Sequence, residues 1–277
     1  MPARKSDSHK GDYGHVFILA GSYGLTGAAY LTSQASLLSG SGLVTLGIPE
    51  SLNPIMEVKL TEVMTRPLAE TKGLTPGLKA FPQINKILPG IDALAVGPGL
   101  SRNYQTQKLV HKLLLSVTKP LVLDADGINA LIGKLEVLHN LKAELVITPH
   151  PGEMARLLNL SIAQVQKNRT RIAKDFAKKY NVVVVLKGYR TVIADPKGKI
   201  FINETGNPGM ASAGCGDVLT GIIAAFLGQR MSAFEAAKLG VYIHGLAGDI
   251  AAKEKGRISL IATDILEKLP SAFKTIL

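Results

Sequence analysis

Residues 182–186 read Val-Val-Val-Val-Leu, five apolar positions with no polar alternate. A strand with one face in water alternates apolar and polar residues. A continuous β-branched run is covered on both faces, as in parallel sheets between helical layers. Five further short apolar runs have the same character: 15–20, 43–48, 91–96, 120–123 and 144–147. Between most of them lie stretches with helical spacing, near 27–38, 105–117, 128–132, 153–158 and 162–180. Short buried strands alternating with helices predict an α/β chain, a three-layer α/β/α arrangement with a mostly parallel sheet.

The remaining segments fit that frame. Residues 51–89 are less periodic, with a weak strand at 62–65 and a helix ending near 88. Two apolar runs, 191–194 and 199–202, flank Asp195-Pro196-Lys197-Gly198 and read as a hairpin. A helix begins near Val218, and residues 233–252 are apolar nearly all round, which predicts a buried helix. No repeat, low-complexity segment or linker divides the chain, so one domain over 1–277 is expected.

Composition narrows the function. The formal charge of +11 invites nucleic acid, but aromatics are 5%, Trp is absent and the basic residues are scattered. The densest basic stretch, 167–179, has the spacing of an amphipathic helix with a wet face. No nucleic-acid partner is expected. No apolar stretch reaches the roughly 18 residues of a membrane span, so no membrane partner is expected. The single Cys215 excludes an intrachain disulfide and no secretory apolar segment opens the chain, which together point to the cytoplasm.

In sheets of this kind, ligands sit beyond the carboxyl ends of the strands. The residues just past each apolar run are therefore informative: Gly21-Ser22, Gly97-Pro98-Gly99, Asp124 with Asp126, His150 with Glu153, then Lys187-Gly188. A loop of small residues with glycines at 206, 209, 214 and 216 then runs into the helix that begins near Asp217. Exposed N–H groups at a helix start attract phosphate. Asp217 is either a helix-start residue or a base beside that phosphate. Lys187 is either a surface lysine or a point charge for phosphate, and Asp124, Asp126 and Glu153 are either caps or magnesium carboxylates. His150, between two prolines, is rigidly presented to a polar substrate. Cys215 has no His or second Cys nearby and reads as a small loop residue. Neither Gly-x-x-x-x-Gly-Lys-[Ser/Thr] nor a dinucleotide Gly-x-Gly-x-x-Gly after a strand is present.

Gly-x-Gly-Asp opening a helix after a glycine-rich loop resembles the ribokinase-like fold. More closely, the chain resembles the ADP/ATP-dependent NAD(P)H-hydrate dehydratases. The matching stretches are Ser8-His9-Lys10-Gly11-Asp12-Tyr13-Gly14, Ala20-Gly21-Ser22 with Thr26-Gly27-Ala28-Ala29, Gly97-Pro98-Gly99-Leu100, Thr148-Pro149-His150-Pro151-Gly152-Glu153, Leu186-Lys187-Gly188 and the loop from Gly206 to Gly221. The resemblance implies that Asp217 is the catalytic base and that Ala28, Gly99, His150 and Asp217 touch the hydrated cofactor. It implies that Lys187, Gly188, Tyr189, Arg190, Thr191, Gly214 and Gly216 line ADP or ATP. It further implies Mg2+, with Glu153 as a candidate ligand, and a symmetric homo-oligomer, a tetramer.

The implied reaction transfers phosphate from ADP or ATP to the ring hydroxyl of the S form of hydrated NADH or NADPH, then expels it to restore the cofactor. Two departures stand out. Many relatives carry an epimerase domain that 277 residues leave no room for, so a stand-alone dehydratase is expected. Some relatives have Lys and Gly where Ser212 and Ala213 stand. The rival reading within this fold is a small-molecule kinase that keeps its phosphorylated alcohol. His150-Pro151-Gly152-Glu153 argues against it, because ribokinase-like sugar kinases resemble Asn-x-x-Glu there. A basic nucleic-acid module is a rival from another class, and it would not need a glycine loop beside acidic strand ends.

Overall fold

The computed structural model describes residues 5–276, so residues 1–4 and 277 of the expected 1–277 domain lie outside the described residues. The elements run in order: β1 (His15–Leu19), α1 (Thr26–Leu38), β2 (Leu43–Pro49), α2 (Asn53–Lys59), β3 (Met64–Leu68), α3 (Phe81–Ile87), β4 (Ala93–Val96), α4 (Tyr104–Ser116), β5 (Leu121–Leu123) and α5 (Asp126–Asn129). Then come β6 (Leu145–Ile147), α6 (Pro151–Leu158), α7 (Ile162–Lys167), α8 (Arg169–Tyr180), β7 (Val183–Leu186), β8 (Val192–Ala194), β9 (Ile200–Ile202), α9 (Cys215–Gly228), α10 (Ala233–Lys255) and α11 (Ala262–Ile276).

The strands form one sheet in the order β3-β2-β1-β4-β5-β6-β7-β8-β9. β1 to β7 pair in parallel, while the β8–β9 hairpin is antiparallel to its neighbours. Side-chain alternation divides the core in two. Val16 and Ile18 of β1 join a cluster with α1, α9, α10 and α11, whereas Phe17 and Leu19 join one with α4, α6 and α8. Every residue of β7 is buried. The three-layer α/β/α fold expected from the continuous apolar runs is the fold observed.

Local departures have local causes. The expected helix over 162–180 is two helices, interrupted at Asn168, whose backbone leaves helical geometry (φ −129°, ψ 30°). The weak strand forms later than expected, as the edge strand β3, where Pro67 is tolerated because one side of the strand needs no ladder bond. The helix expected at 128–132 is the short α5, which begins directly after Ala125, a non-glycine residue at φ +48°. α9 lies very close to α1: a Cβ on Gly221 would stand 2.2 Å from the Thr32 carbonyl oxygen. α10 is buried along most of its length by small residues, but Tyr242 is exposed, so it is not apolar all round.

The Ser8–Gly14 stretch lies at the amino end of β1, opposite the edge that carries the charged residues. His9 and Asp12 form a capping box there, Tyr13 is buried, and its hydroxyl donates to Ser8 Oγ at 2.6 Å. Gly14 (φ +78°) is forced by close approach, since a Cβ would fall 2.1 Å from the Gly228 carbonyl oxygen. That part of the resemblance is structural.

Candidate active site

At the carboxyl end of the sheet the loops after β1 and β4 interlock. Gly21 N–H donates to the Pro98 carbonyl at 2.8 Å, and Ser22 Oγ donates to the Gly99 carbonyl at 2.7 Å. Gly99 (φ +63°) sits against the start of α1: a Cβ there would lie 3.1 Å from the Ala28 Cβ. The two residues expected to meet one substrate, Ala28 and Gly99, are therefore neighbours. Asp126 holds the same loop by accepting from Ser101 N–H at 2.8 Å.

Behind this platform is a compact ionic centre. Lys187 Nζ donates to Asp124 Oδ1 at 2.7 Å and stands 4.0 Å from Glu153 Oε2, and Thr220 Oγ1 lies 2.9 Å from Asp124 Oδ2. Burial alone would lower the Lys187 pKa, but Asp124, then Glu153 and Asp217, more than offset it and raise it. Lys187 is thus pinned to Asp124 rather than extended as a free lysine. His150 caps α6, its Nδ1 accepting from Gly152 N–H (3.0 Å) and Glu153 N–H (3.3 Å), while Glu153 Oε2 accepts from His150 N–H at 2.8 Å. Burial and then Lys187 lower the His150 pKa. The ring is neutral, and with Nδ1 accepting, its proton sits on Nε2, 3.5 Å from Glu153 Oε1, in a side chain that is half-exposed. Burial raises the Glu153 pKa, partly opposed by Lys187.

Asp217 is the third residue of α9. Among the described residues its carboxylate accepts no hydrogen bond. Burial first, then Asp124, push its pKa from 3.8 up to about 7, with Lys187 opposing. A group that titrates at neutral pH and faces no fixed donor has the properties of a general base. Cys215, at the first position of the same helix, has its thiol pKa raised by burial, which fits a packing residue.

A cavity of about 870 Å³ opens beside this centre, lined by His150, the run from Lys187 through Thr191, and Gly216. Its other walls are the 203–208 loop, Met210 through Ser212, Cys215, Leu219 and part of α10. The volume suits a nucleotide-sized ligand. Gly214, Asp217, Gly99 and Ala28 are not part of this lining. Gly214 (φ +91°) starts α9 where a Cβ would meet Leu31 at 2.6 Å and Ala262 at 2.9 Å, so glycine is demanded by packing. His150, Lys187 and Gly216 join the cavity to the Asp217 side.

Three supporting residues carry no signal in the sequence. Arg169, freed by the break at Asn168, donates to the carbonyls of Leu186 (2.9 Å), Lys187 (3.2 Å) and Tyr189, clamping the loop that lines the cavity. Asp249 on α10 accepts from Gly206 N–H (2.8 Å) and Asn207 Nδ2 (2.9 Å), holding the glycine loop. Thr220 braces Asp124. Each acts on a segment far away in sequence, and only chain folding reveals its partner.

The family model for NAD(P)H-hydrate dehydratase matches residues 16–271. The chain belongs to the NAD(P)H-hydrate dehydratase family. It is 47% identical over 276 residues to a bifunctional NAD(P)H-hydrate repair enzyme of Moorella thermoacetica, covering 100% of this chain and 52% of that relative. It spans about half the length of the bifunctional relatives. An ADP-dependent (S)-NAD(P)H-hydrate dehydratase of Neisseria meningitidis is 37% identical, over 92% of this chain and 82% of its own. Among solved structures, the ADP/ATP-dependent NAD(P)H-hydrate dehydratase of Bacillus subtilis, co-crystallised with ATP and Mg2+, superposes with a TM-score of 0.86 at 32% identity, covering 100% of this chain and 95% of that one. The fold is ribokinase-like.

The charge balance of this dehydratase-family site bears on a metal. Three carboxylates, Asp124, Glu153 and Asp217, act on the ammonium of Lys187, and the Arg156 guanidinium also acts on Glu153, so acidic groups outnumber the cations beside them. Among the described residues no group of three His, Cys, Asp or Glu side chains is placed to hold an ion by itself. This donor set fits a Mg2+ bound mainly by phosphates and water, with a carboxylate in support.

Proposed function

We propose that the site dehydrates the S form of hydrated NADH or NADPH, using ADP or ATP as phosphate donor. The observation that carries the reading is Asp217, a carboxylate with no hydrogen-bond donor upon it among the described residues and a pKa near 7, next in sequence to Gly216 of the cavity wall. Asp217 takes the proton of the ring hydroxyl, and the oxygen attacks the terminal phosphorus as the bond to AMP or ADP breaks. Phosphate is then a far better leaving group than hydroxide. The ring nitrogen lone pair expels it, and the adjacent ring carbon gives up a proton, so the reduced cofactor forms again.

In this reading the N–H groups at the start of α9 stabilise the transferred charge. Gly99, Ala28 and the Nε2–H of His150 receive the hydrated ring, and Lys187 through Thr191 with Gly216 receive the nucleotide. Gly214 shapes the turn that aims those N–H groups. Mg2+ would be held on the phosphates with Glu153 in support, supplying charge neutralisation. The remaining parts of the reading are a tetrameric assembly and action in the cytoplasm; no helix among the described residues is long and apolar enough to cross a membrane.

The test is recovery of reduced-nicotinamide absorbance when protein, Mg2+ and hydrated NADPH or NADH are mixed with ADP, then with ATP. Recovery is expected with one nucleotide at least, declining as pH falls below about 7, where Asp217 takes up a proton. Asp217→Asn should lose it. No recovery with either nucleotide, while phosphate passes to some other alcohol, would replace the dehydratase with a kinase.

A further inference from the structure

Beside His150 stands a cation that the mechanism does not use. Arg156 lies four residues beyond Gly152, on the same face of α6. A Cβ on Gly152 would fall 2.9 Å from His150 Cε1 and 3.7 Å from Arg156 Nη1, so the imidazole and the guanidinium flank one glycine. The charge is near enough to add to the lowering of the His150 pKa. A relay of hydrogen bonds fixes the guanidinium from its other side. Arg156 Nη2 donates to Asn129 Oδ1 at 3.0 Å, Asn129 Nδ2 donates to Asp126 Oδ1 at 3.0 Å, and Asp126 Oδ2 accepts from Ser101 N–H at 2.8 Å. Asn129 is buried, and Ser101 is two residues past Gly99. Arg156 is thereby tied both to the His150 cap and to the Gly99 loop.

Most of its donors remain free. The residue is exposed, its charge acts on Glu153, yet among the described residues its side chain forms no ion pair and one hydrogen bond, to the neutral Asn129 amide. A guanidinium anchored at one corner keeps the rest of its planar fork for an anion, and phosphate matches that fork. The cavity that suits ADP or ATP does not include Arg156 in its lining. Hydrated NADH and NADPH, by contrast, are dinucleotides that carry phosphate beyond the ring. We propose that Arg156 binds a phosphate of the hydrated dinucleotide, not of the phosphate donor, and holds that substrate while its ring meets Gly99 and His150. The inference rests on the dehydratase reading of the site.

The experiment is calorimetric titration of wild type, Arg156→Gln and Arg156→Lys with hydrated NADPH, hydrated NADH, hydrated reduced nicotinamide riboside and, separately, ADP. It is run at pH 8, where His150 is neutral with or without the neighbouring charge. The expected result is a hydrated NADPH Kd raised roughly tenfold in Arg156→Gln and restored in part by Arg156→Lys, which keeps the charge but not the fork. The riboside, which has no phosphate, and ADP should stay within twofold. An equal loss for hydrated NADH assigns the contact to the pyrophosphate bridge; a loss confined to hydrated NADPH assigns it to the 2′-phosphate. A hydrated NADPH Kd within twofold would overturn the proposal. An equal loss for the riboside would also overturn it, making Arg156 a brace for the Gly99 loop, as would an equal loss for ADP. Nucleotide and hydrated cofactor are never mixed in these titrations, so binding is read apart from turnover. Binding that depends on Arg156, with no cofactor recovery once ADP or ATP is added, would end the dehydratase reading alone, and recovery with an unchanged Kd in the variant would end only this one. No binding of hydrated NADPH to wild type would end both.

Discussion

Replacing Asp217 by Asn keeps the side chain's shape and removes its charge, and it should stabilise the protein while abolishing turnover. The folded pKa lies above the ordinary carboxylate value, so the folded state binds the proton more tightly than the unfolded chain. Ionising Asp217 is therefore a cost of folding that is absent below about pH 4, grows as pH rises, and is complete above about 7. At 1.36 kcal/mol per tenfold change in proton affinity, the rise from 3.8 to about 7 sets a ceiling of about 4 kcal/mol. Of that ceiling about 3 kcal/mol accrues between pH 5 and pH 8. The carboxylate is only partly shut from solvent, so water screening brings the expected difference to roughly 1–3 kcal/mol. Urea unfolding of both proteins at pH 5, 6, 7 and 8 measures it. The penalty for burying the Asn amide does not change with pH and cancels when the gaps are compared. The stability advantage of the variant should widen steadily toward pH 8. A gap that stays flat or narrows would refute the argument that burial and Asp124 make Asp217 a neutral-pH base.

Two further outcomes test the scaffold. Asp249→Ala releases Gly206 N–H and Asn207 from their shared carboxylate, and steady-state kinetics should give a nucleotide KM raised about tenfold with a smaller change in kcat; an unchanged KM would mean that the loop holds its shape without α10. Gly221→Ala puts a methyl group 2.2 Å from the Thr32 carbonyl, so α1 and α9 must separate, and urea unfolding should report a loss of about 1–3 kcal/mol. No loss would mean that the two helices have room to spare.

Much of this protein was legible residue by residue. The apolar runs and their glycine, aspartate, histidine and lysine endings carry information because strand burial and chain reversal are local demands. A valine run has to be covered on both faces, and Gly99 at φ +63° has to be a residue without a side chain. The capping box of His150 and Glu153 is likewise written within four residues. Less legible was the break at Asn168, where helical spacing continued across a point at which the backbone turned aside.

The sequence by itself determined the layered sheet and the edge on which its charged and glycine-rich turns lie. Only the tertiary structure decided that Lys187 is spent on Asp124, that Ser8–Gly14 packs at the far end of the sheet, and that Arg169 and Asp249 hold the loops that line the cavity. The physical reason is that propensity and burial act over a few neighbouring residues, whereas a clamp on a carbonyl, an ion pair or a braced carboxylate depends on groups 17, 63 or 96 positions apart, brought together by the packing of helices on the sheet.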